Sequence, residues 1–177
     1  MSIQKILTFT LFLFIGFSFH NQDFLEWSAE RKLSFNDFKG KIPTNIGNQQ
    51  KASITTVITY QSRQEKGKVP EMTILNFVDR NRSWTNVKKP EILQIQQIRF
   101  DYSELYARKI RKKMNEMNQK GITDKQKYID EIAAMVGVSE KIQKRNSLLL
   151  EDQPHLIKIM QKDIRDSLKI YQGFAKK

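Results

Sequence analysis

Few side chains in this sequence could do chemistry, and their types narrow the choice. Asp101 and Glu104 stand three residues apart, which on a helix puts two carboxyls on one face, the arrangement of an acid–base pair. Arg99 and Arg108 flank them, so ion pairing on a helix is the commoner use of such a pair and the one expected. There is no cysteine, and the only histidines are His20 and His155. Thiol nucleophiles, thiolate clusters and disulfides are thereby excluded. Catalytic zinc draws on three histidines, on two histidines and a carboxylate, or on cysteine–histidine sets. With His20 near the chain start and His155 far along it, a zinc site would need an unusual ligand set. His155 follows Pro154 at a helix start and is expected to be an exposed first-turn residue rather than a base. The sequence has neither a G-x-S-x-G elbow nor a G-x-x-x-x-G-K-[ST] phosphate loop.

The element that must position the acidic pair is Glu91–Met114, EILQIQQIRFDYSELYARKIRKKM. Ile92, Ile95, Ile98, Tyr102 and Leu105 recur at three- and four-residue steps, the stripe of a core-facing helix. Pro90 stands just ahead of its start, where a missing N–H costs nothing. Within this helix the run Gln96-Gln97-x-x-Phe100-Asp101-x-x-Glu104-Leu105-Tyr106-Ala107-Arg108-Lys109 resembles a family of bacterial secreted proteins, DUF922, inferred to be zinc-dependent proteases. Members typically read H-E-Q-x-H-F-D-x-x-E-x-Y-A-R-K there. Laid on that pattern, the first histidine falls on Ile95, the glutamate on Gln96 and the second histidine on Arg99. Asp101 and Glu104 match family positions that the resemblance implies support the motif helix.

Two histidines four apart on a helix converge on zinc, and the glutamate between them takes the proton from zinc-bound water. Isoleucine donates no lone pair, arginine brings a fixed positive charge, and glutamine is no base near neutral pH. The family implies zinc, but these residues fill none of the three roles, so no metal, no other cofactor and no peptidase activity are expected. Arg99 leaves two alternatives open. Its guanidinium fills the place of a ligand and pairs with Asp101, Glu104 or a carboxylate from elsewhere, or it points to solvent while Ile98 takes the buried slot.

A second, distant segment carries the same resemblance in the right order. Trp27-Ser28, Arg31, Leu33-Ser34, Asn36-Asp37-Phe38-Lys39-Gly40 and Pro43 match the family opening W-S-x-x-R-x-L-T-W-x-D-F-K-G-x-P, with Phe35 where tryptophan is common. Trp27, Phe35 and Phe38 are expected to pack in the core or at its rim. Family members also carry a C-terminal Y-D-x-E-T-x-H-G segment that the resemblance implies supplies a further ligand. Here the corresponding stretch is Lys144–Glu151, KRNSLLLE, with no histidine. The resemblance is good over Trp27–Met114 and poor after Gly121.

The remaining chain supplies the frame. Met1–Lys5 and the apolar run Ile6–Phe19 suit a secretory signal peptide over 1–18, since a membrane span needs about 20 apolar residues. Gly16 and Ser18 place small side chains for cleavage after Ser18, and an uncleaved anchor is the alternative. Residues 19–177 then form one domain. Ala52–Tyr60 alternates as a strand with Ile54, Thr56, Ile58 and Tyr60 on one face, and Met72–Val78 pairs antiparallel with it. Arg80-Asn81-Arg82 is expected to turn the chain. Gly121 stops the central helix, Thr123 and Gln126 give a capping box for the next, Gly137 closes that one, and Ser139 caps a further segment through Leu150. Pro154 opens a last helix with Ile157, Met160, Ile164 and Leu168 on its stripe. The fold class is α+β: a small antiparallel sheet packed against a central helix and a C-terminal helical region.

The formal net charge is +12. Such a surface attracts anionic envelope polymers or a membrane surface. There is no aromatic–basic interleaving of the kind that stacks bases, so nucleic acid is not the expected partner. The leading expectation is an exported binding or structural protein of the periplasm or exterior, holding a peptide or protein ligand. The alternatives are an active metal-dependent hydrolase with an unconventional site and a basic protein that binds anionic polymers.

Overall fold

The structure is a computed structural model that describes residues 23–46 and 50–176. The proposed leader, the cleavage expected after Ser18 and His20 lie outside the described residues. Three strands, β1 (Phe24–Glu26), β2 (Ala52–Arg63) and β3 (Glu71–Thr85), form one antiparallel sheet in the order β1-β3-β2. Three helices follow: α1 (Pro90–Gln119), α2 (Lys125–Asp152) and α3 (Ile157–Ile170). This is the α+β architecture expected, with α1 at its centre: it packs on β2 and β3 and carries both α2 and α3 on its flanks.

The period-two alternation decides which face of the sheet is covered. Ile74, Asn76 and Val78 of β3 and Ile54 of β2 are all buried, whereas Thr73 and Thr59 of the opposite face are exposed. Val57 lies opposite Phe77 and Ile58 opposite Asn76. On the uncovered side Phe24 of β1 stacks on Phe77 at 5.5 Å between ring centres. The sheet–helix interior divides into a cluster around Ile92, Ile95, Leu150 and Ile157, another around Ile110, Met114 and Tyr128, and a third around Leu33, Ile54 and Phe100.

Three local expectations are corrected. Arg80-Asn81-Arg82 does not end the strand; β3 bulges there and continues to Thr85, so that Ser53 pairs with Trp84 and Thr55 with Asp79. The bulge is held by Asp79, whose carboxylate accepts the amides of Asn81 at 3.1 Å and Arg82 at 3.2 Å. Gly40 rests against it so closely that a Cβ would sit 2.8 Å from the Asn81 carbonyl oxygen. Second, α2 runs unbroken through Gly137 and Ser139. Ser139 is buried and accepts from Gln143 Nε2 at 3.0 Å, while Gln143 Oε1 accepts from Thr56 of the sheet at 3.2 Å. The Thr56 bond ties this part of α2 to the sheet, and the helix continues although an interior glycine costs roughly 1 kcal/mol. Third, Asp124 rather than Thr123 caps α2, through the amide of Gln126 at 3.0 Å.

Candidate functional site

The motif positions of α1 separate into two groups with different partners. Asp101 and Glu104 do not share a site. Asp101 accepts from Trp27 Nε1 at 2.9 Å and Gln97 Nε2 at 2.8 Å. Gln97 in turn accepts the Leu33 amide at 2.8 Å. Those bonds fasten the opening segment onto α1, which is the packing role expected of Trp27. Glu104 is buried and accepts from Arg108 at 3.1 Å, Arg111 at 2.9 Å and Asn76 at 3.3 Å. Arg108 stacks over Trp27 and donates to the Leu168 carbonyl at 2.7 Å, while Arg111 reaches the carbonyls of Ile74 and Phe174. Glu104, Arg108 and Arg111 therefore join sheet, helix and C-terminus. With both Glu104 oxygens already accepting, the arrangement is that of a structural ion cluster rather than an acid–base pair.

Ile95, Gln96 and Arg99 sit on the face turned to β2 and α2. Ile95 is buried in the cluster with Ala52, Leu150 and Ile157. Gln96 is buried too, and its Oε1 accepts the Ile54 amide at 3.0 Å, the residue at which the β2–β3 register breaks. An amide displaced from a ladder needs such an acceptor. Arg99 donates from Nη1 to Ser53 Oγ at 3.2 Å and to Gln96 Oε1 at 3.3 Å. It points inward, and it pairs with neither Asp101 nor Glu104. Its nearest charge relation is with Glu151 at the end of α2.

Both members of that relation are strained electrostatically. Burial pulls the Arg99 guanidinium down to about 10, against the pull of Glu151, and it remains charged at neutral pH. Burial likewise pushes the Glu151 carboxyl up, against Lys51 and Arg99. Arg99 Nε and Glu151 Oε2 are buried with no hydrogen-bond partner among the described residues. A buried polar atom left in that state costs about 1–3 kcal/mol.

Glu151 lines a cleft of about 250 Å³. Ile92, Ile95, Leu150 and Ile157 make its apolar wall, and Lys51, Lys89, Glu91 and Glu151 ring it with charges of both signs. Leu150 and Glu151, the last residues of the stretch Lys144–Glu151, line the cleft together with Ile95. Pro154 also lines the cleft, which brings the exposed His155 to the same neighbourhood despite its distance in sequence. The donor set nevertheless does not fit zinc. Ile95 offers no lone pair, Gln96 Oε1 is committed to the Ile54 amide, and Arg99 carries a positive charge where a cation would sit. Among the described residues no group of three His, Cys, Asp or Glu side chains is placed to hold a metal ion.

Sequence inspection missed Ser53, Lys51, Lys89 and the placement of Glu151, since none belongs to a spaced motif and only the fold brings them together. Set against protein-family models, curated proteins and solved structures, the chain matches none.

Proposed function

We propose that this chain is an exported relative of the zinc-protease family that lacks catalysis and holds a peptide segment of an envelope partner in the cleft beside Ile95. One observation supports the proposal above the others. Glu151, whose burial is costly and whose Oε2 has no hydrogen-bond partner among the described residues, lines the apolar cleft together with Ile95, and its charge acts on the buried Arg99 guanidinium. Ionisable groups kept at such a cost beside a cleft mark binding sites more often than they serve stability. The apolar wall suits one aliphatic or aromatic side chain, and the mixed charges at the mouth suit the polar backbone and flanks of a peptide.

The test is a peptide array probed with the chain from residue 19 onward, run beside a Val87→Trp variant that fills the cleft. Selective retention of peptides with apolar anchors, reduced at least about tenfold by the substitution, is the expected result. Equal retention by both proteins would exclude the cleft. Stoichiometric zinc together with chelator-sensitive cleavage of casein would replace the proposal with the metal-dependent hydrolase.

A further inference from the structure

A second cavity, of about 470 Å³, shares no lining residue with the cleft beside Ile95. Asn76, Glu104 and Arg108 of its lining are buried and Arg111 is nearly so, whereas Glu26, Ala29, Glu30 and Lys176 are exposed and form its mouth. The Trp27 ring makes one wall, with the Arg108 guanidinium 5.2 Å from its centre.

The charges of the lining divide by depth. Inside, Glu104 is the counter-charge of both Arg108 and Arg111, which leaves one positive charge over. Asp101, the carboxylate one turn before Glu104 on α1, is held by Trp27 and Gln97 and does not line the cavity. At the mouth Lys176 is bridged to Glu26, so those two cancel. Glu30 accepts from the Ser28 hydroxyl at 2.6 Å and makes no salt bridge among the described residues. The cavity is thus positive within and negative at its mouth.

The hydrogen bonds show which group inside can still act. Every nitrogen of Arg111 is committed: Nε and Nη2 to the Ile74 carbonyl, Nη1 to Glu104 and the Phe174 carbonyl. Arg108 directs Nε to Glu104 and Nη1 to the Leu168 carbonyl. Its Nη2 has no hydrogen-bond partner among the described residues, and a buried guanidinium nitrogen calls for an acceptor.

We infer that this cavity binds a free amino acid, with the carboxylate on Nη2 of Arg108 and the ammonium toward Glu30 at the mouth. One carboxylate answers both the surplus positive charge and the open donor. Phosphate and larger polyanions are disfavoured, because their further negative charge would face Glu104 and Glu30. The volume falls within the range of about 300–1,000 Å³ typical of small-molecule sites. This binding does not depend on the cleft beside Ile95 or on its peptide.

Thermal unfolding of the chain from residue 19 onward tests it, with each standard L-amino acid as the probe and calorimetric titration of the one that stabilises most. All three core clusters are built from Leu25 and later residues, so this chain carries the described fold. At least one amino acid should raise Tm in proportion to the logarithm of its concentration. Its amide, which lacks the carboxylate, should bind at least about tenfold more weakly, and the matching acid without the amino group about threefold more weakly. Arg108→Lys keeps the charge beside Glu104 but loses the planar fork, and should weaken binding at least about tenfold. Ala175→Trp, which fills the cavity and leaves the ion cluster intact, should do the same. Val87→Trp, in the other cleft, should leave amino-acid binding unchanged, so the two sites are read separately. Absence of a shift with every amino acid, equal affinity for acid and amide, or full binding by the Ala175→Trp variant would overturn the inference. Inorganic phosphate binding as tightly as the best amino acid would overturn it too, in favour of a general anion site.

Discussion

Glu104→Gln should be among the most damaging single substitutions in α1, and the structure sets the size of the effect. Glu104 is 3% exposed and is, among the described residues, the only carboxylate paired with Arg108, itself 7% exposed, and Arg111. The cluster already carries one more positive than negative charge, so neutralising Glu104 leaves two guanidiniums in a water-poor site without a counter-charge. Removing one partner of a buried ion pair costs about 3–5 kcal/mol. Here the guanidiniums retain the carbonyls of Ile74, Leu168 and Phe174 as acceptors, which points to the lower end, about 3 kcal/mol. For a domain of this length that is a fall in Tm of about 6–12 °C, measured by circular dichroism and by urea unfolding. Raising the salt concentration should not recover it, because a buried pair is poorly screened. A double variant, Glu104→Leu with Arg108→Leu, should recover part of the loss, and the cycle should return a coupling of about 1.5 kcal/mol or more. A loss below about 1 kcal/mol for Glu104→Gln, or additivity in the cycle, would refute the argument that the cluster holds sheet, helix and C-terminus together.

Three further substitutions probe the remaining claims. Arg99→Met should raise stability by about 1 kcal/mol, since it removes a buried charge with an unpartnered Nε at the expense of two weak hydrogen bonds; a fall in Tm would show that the guanidinium stabilises the fold. Glu151→Gln should stabilise at pH 7 and do little near pH 4. Burial raises the folded carboxyl above its ordinary 4.5, so the cost of ionising it is absent below that value, grows as pH rises through the folded value, and is complete above it; identical effects at both pH values would contradict this. Asp37 carries the opposite sign. Its burial opposes the charge, but the Ser34 amide, the Arg31 guanidinium and the Ser34 hydroxyl outweigh it and lower the carboxyl below 3.8, so its contribution is present above that value and lost as pH falls through the folded one. Asp37→Asn should therefore flatten the acid limb of the stability curve, and an unchanged limb would refute the assignment.

The residues of α1 divide between two sets of partners. Trp27, Asp101, Glu104 and Arg108 are committed to each other and to backbone carbonyls, so each is constrained by the fold whatever the neighbouring positions do. Ile95 and Gln96 have taken on structural work of their own, filling the core and satisfying the Ile54 amide. Arg99 is different, because its environment disfavours its charge. That contrast makes the Arg99–Glu151 side of the helix, rather than the Asp101–Glu104 side, the place to look for the peptide.

Much of the fold follows from local pattern. The alternation in Ala52–Tyr60 and Met72–Val78 determined two strands and their buried faces, and the three- and four-residue steps after Pro90 determined α1, because side-chain period is a property of neighbouring residues alone. That Ile95 and Arg99 offer no lone pair was legible for the same reason, since that is a property of the residue type. Only the tertiary structure decided that Arg80–Ser83 is a bulge and not a turn, because the distant Lys39 and Gly40 donate their amides to the carbonyls of Arg80 and Ser83. It also shows α2 continuous past Gly137, where the Thr56 hydroxyl of the distant sheet bonds to Gln143. It also turned Arg99 toward Glu151, fifty-two residues away. Such outcomes depend on which distant groups share a low-dielectric interior, and no local spacing encodes that.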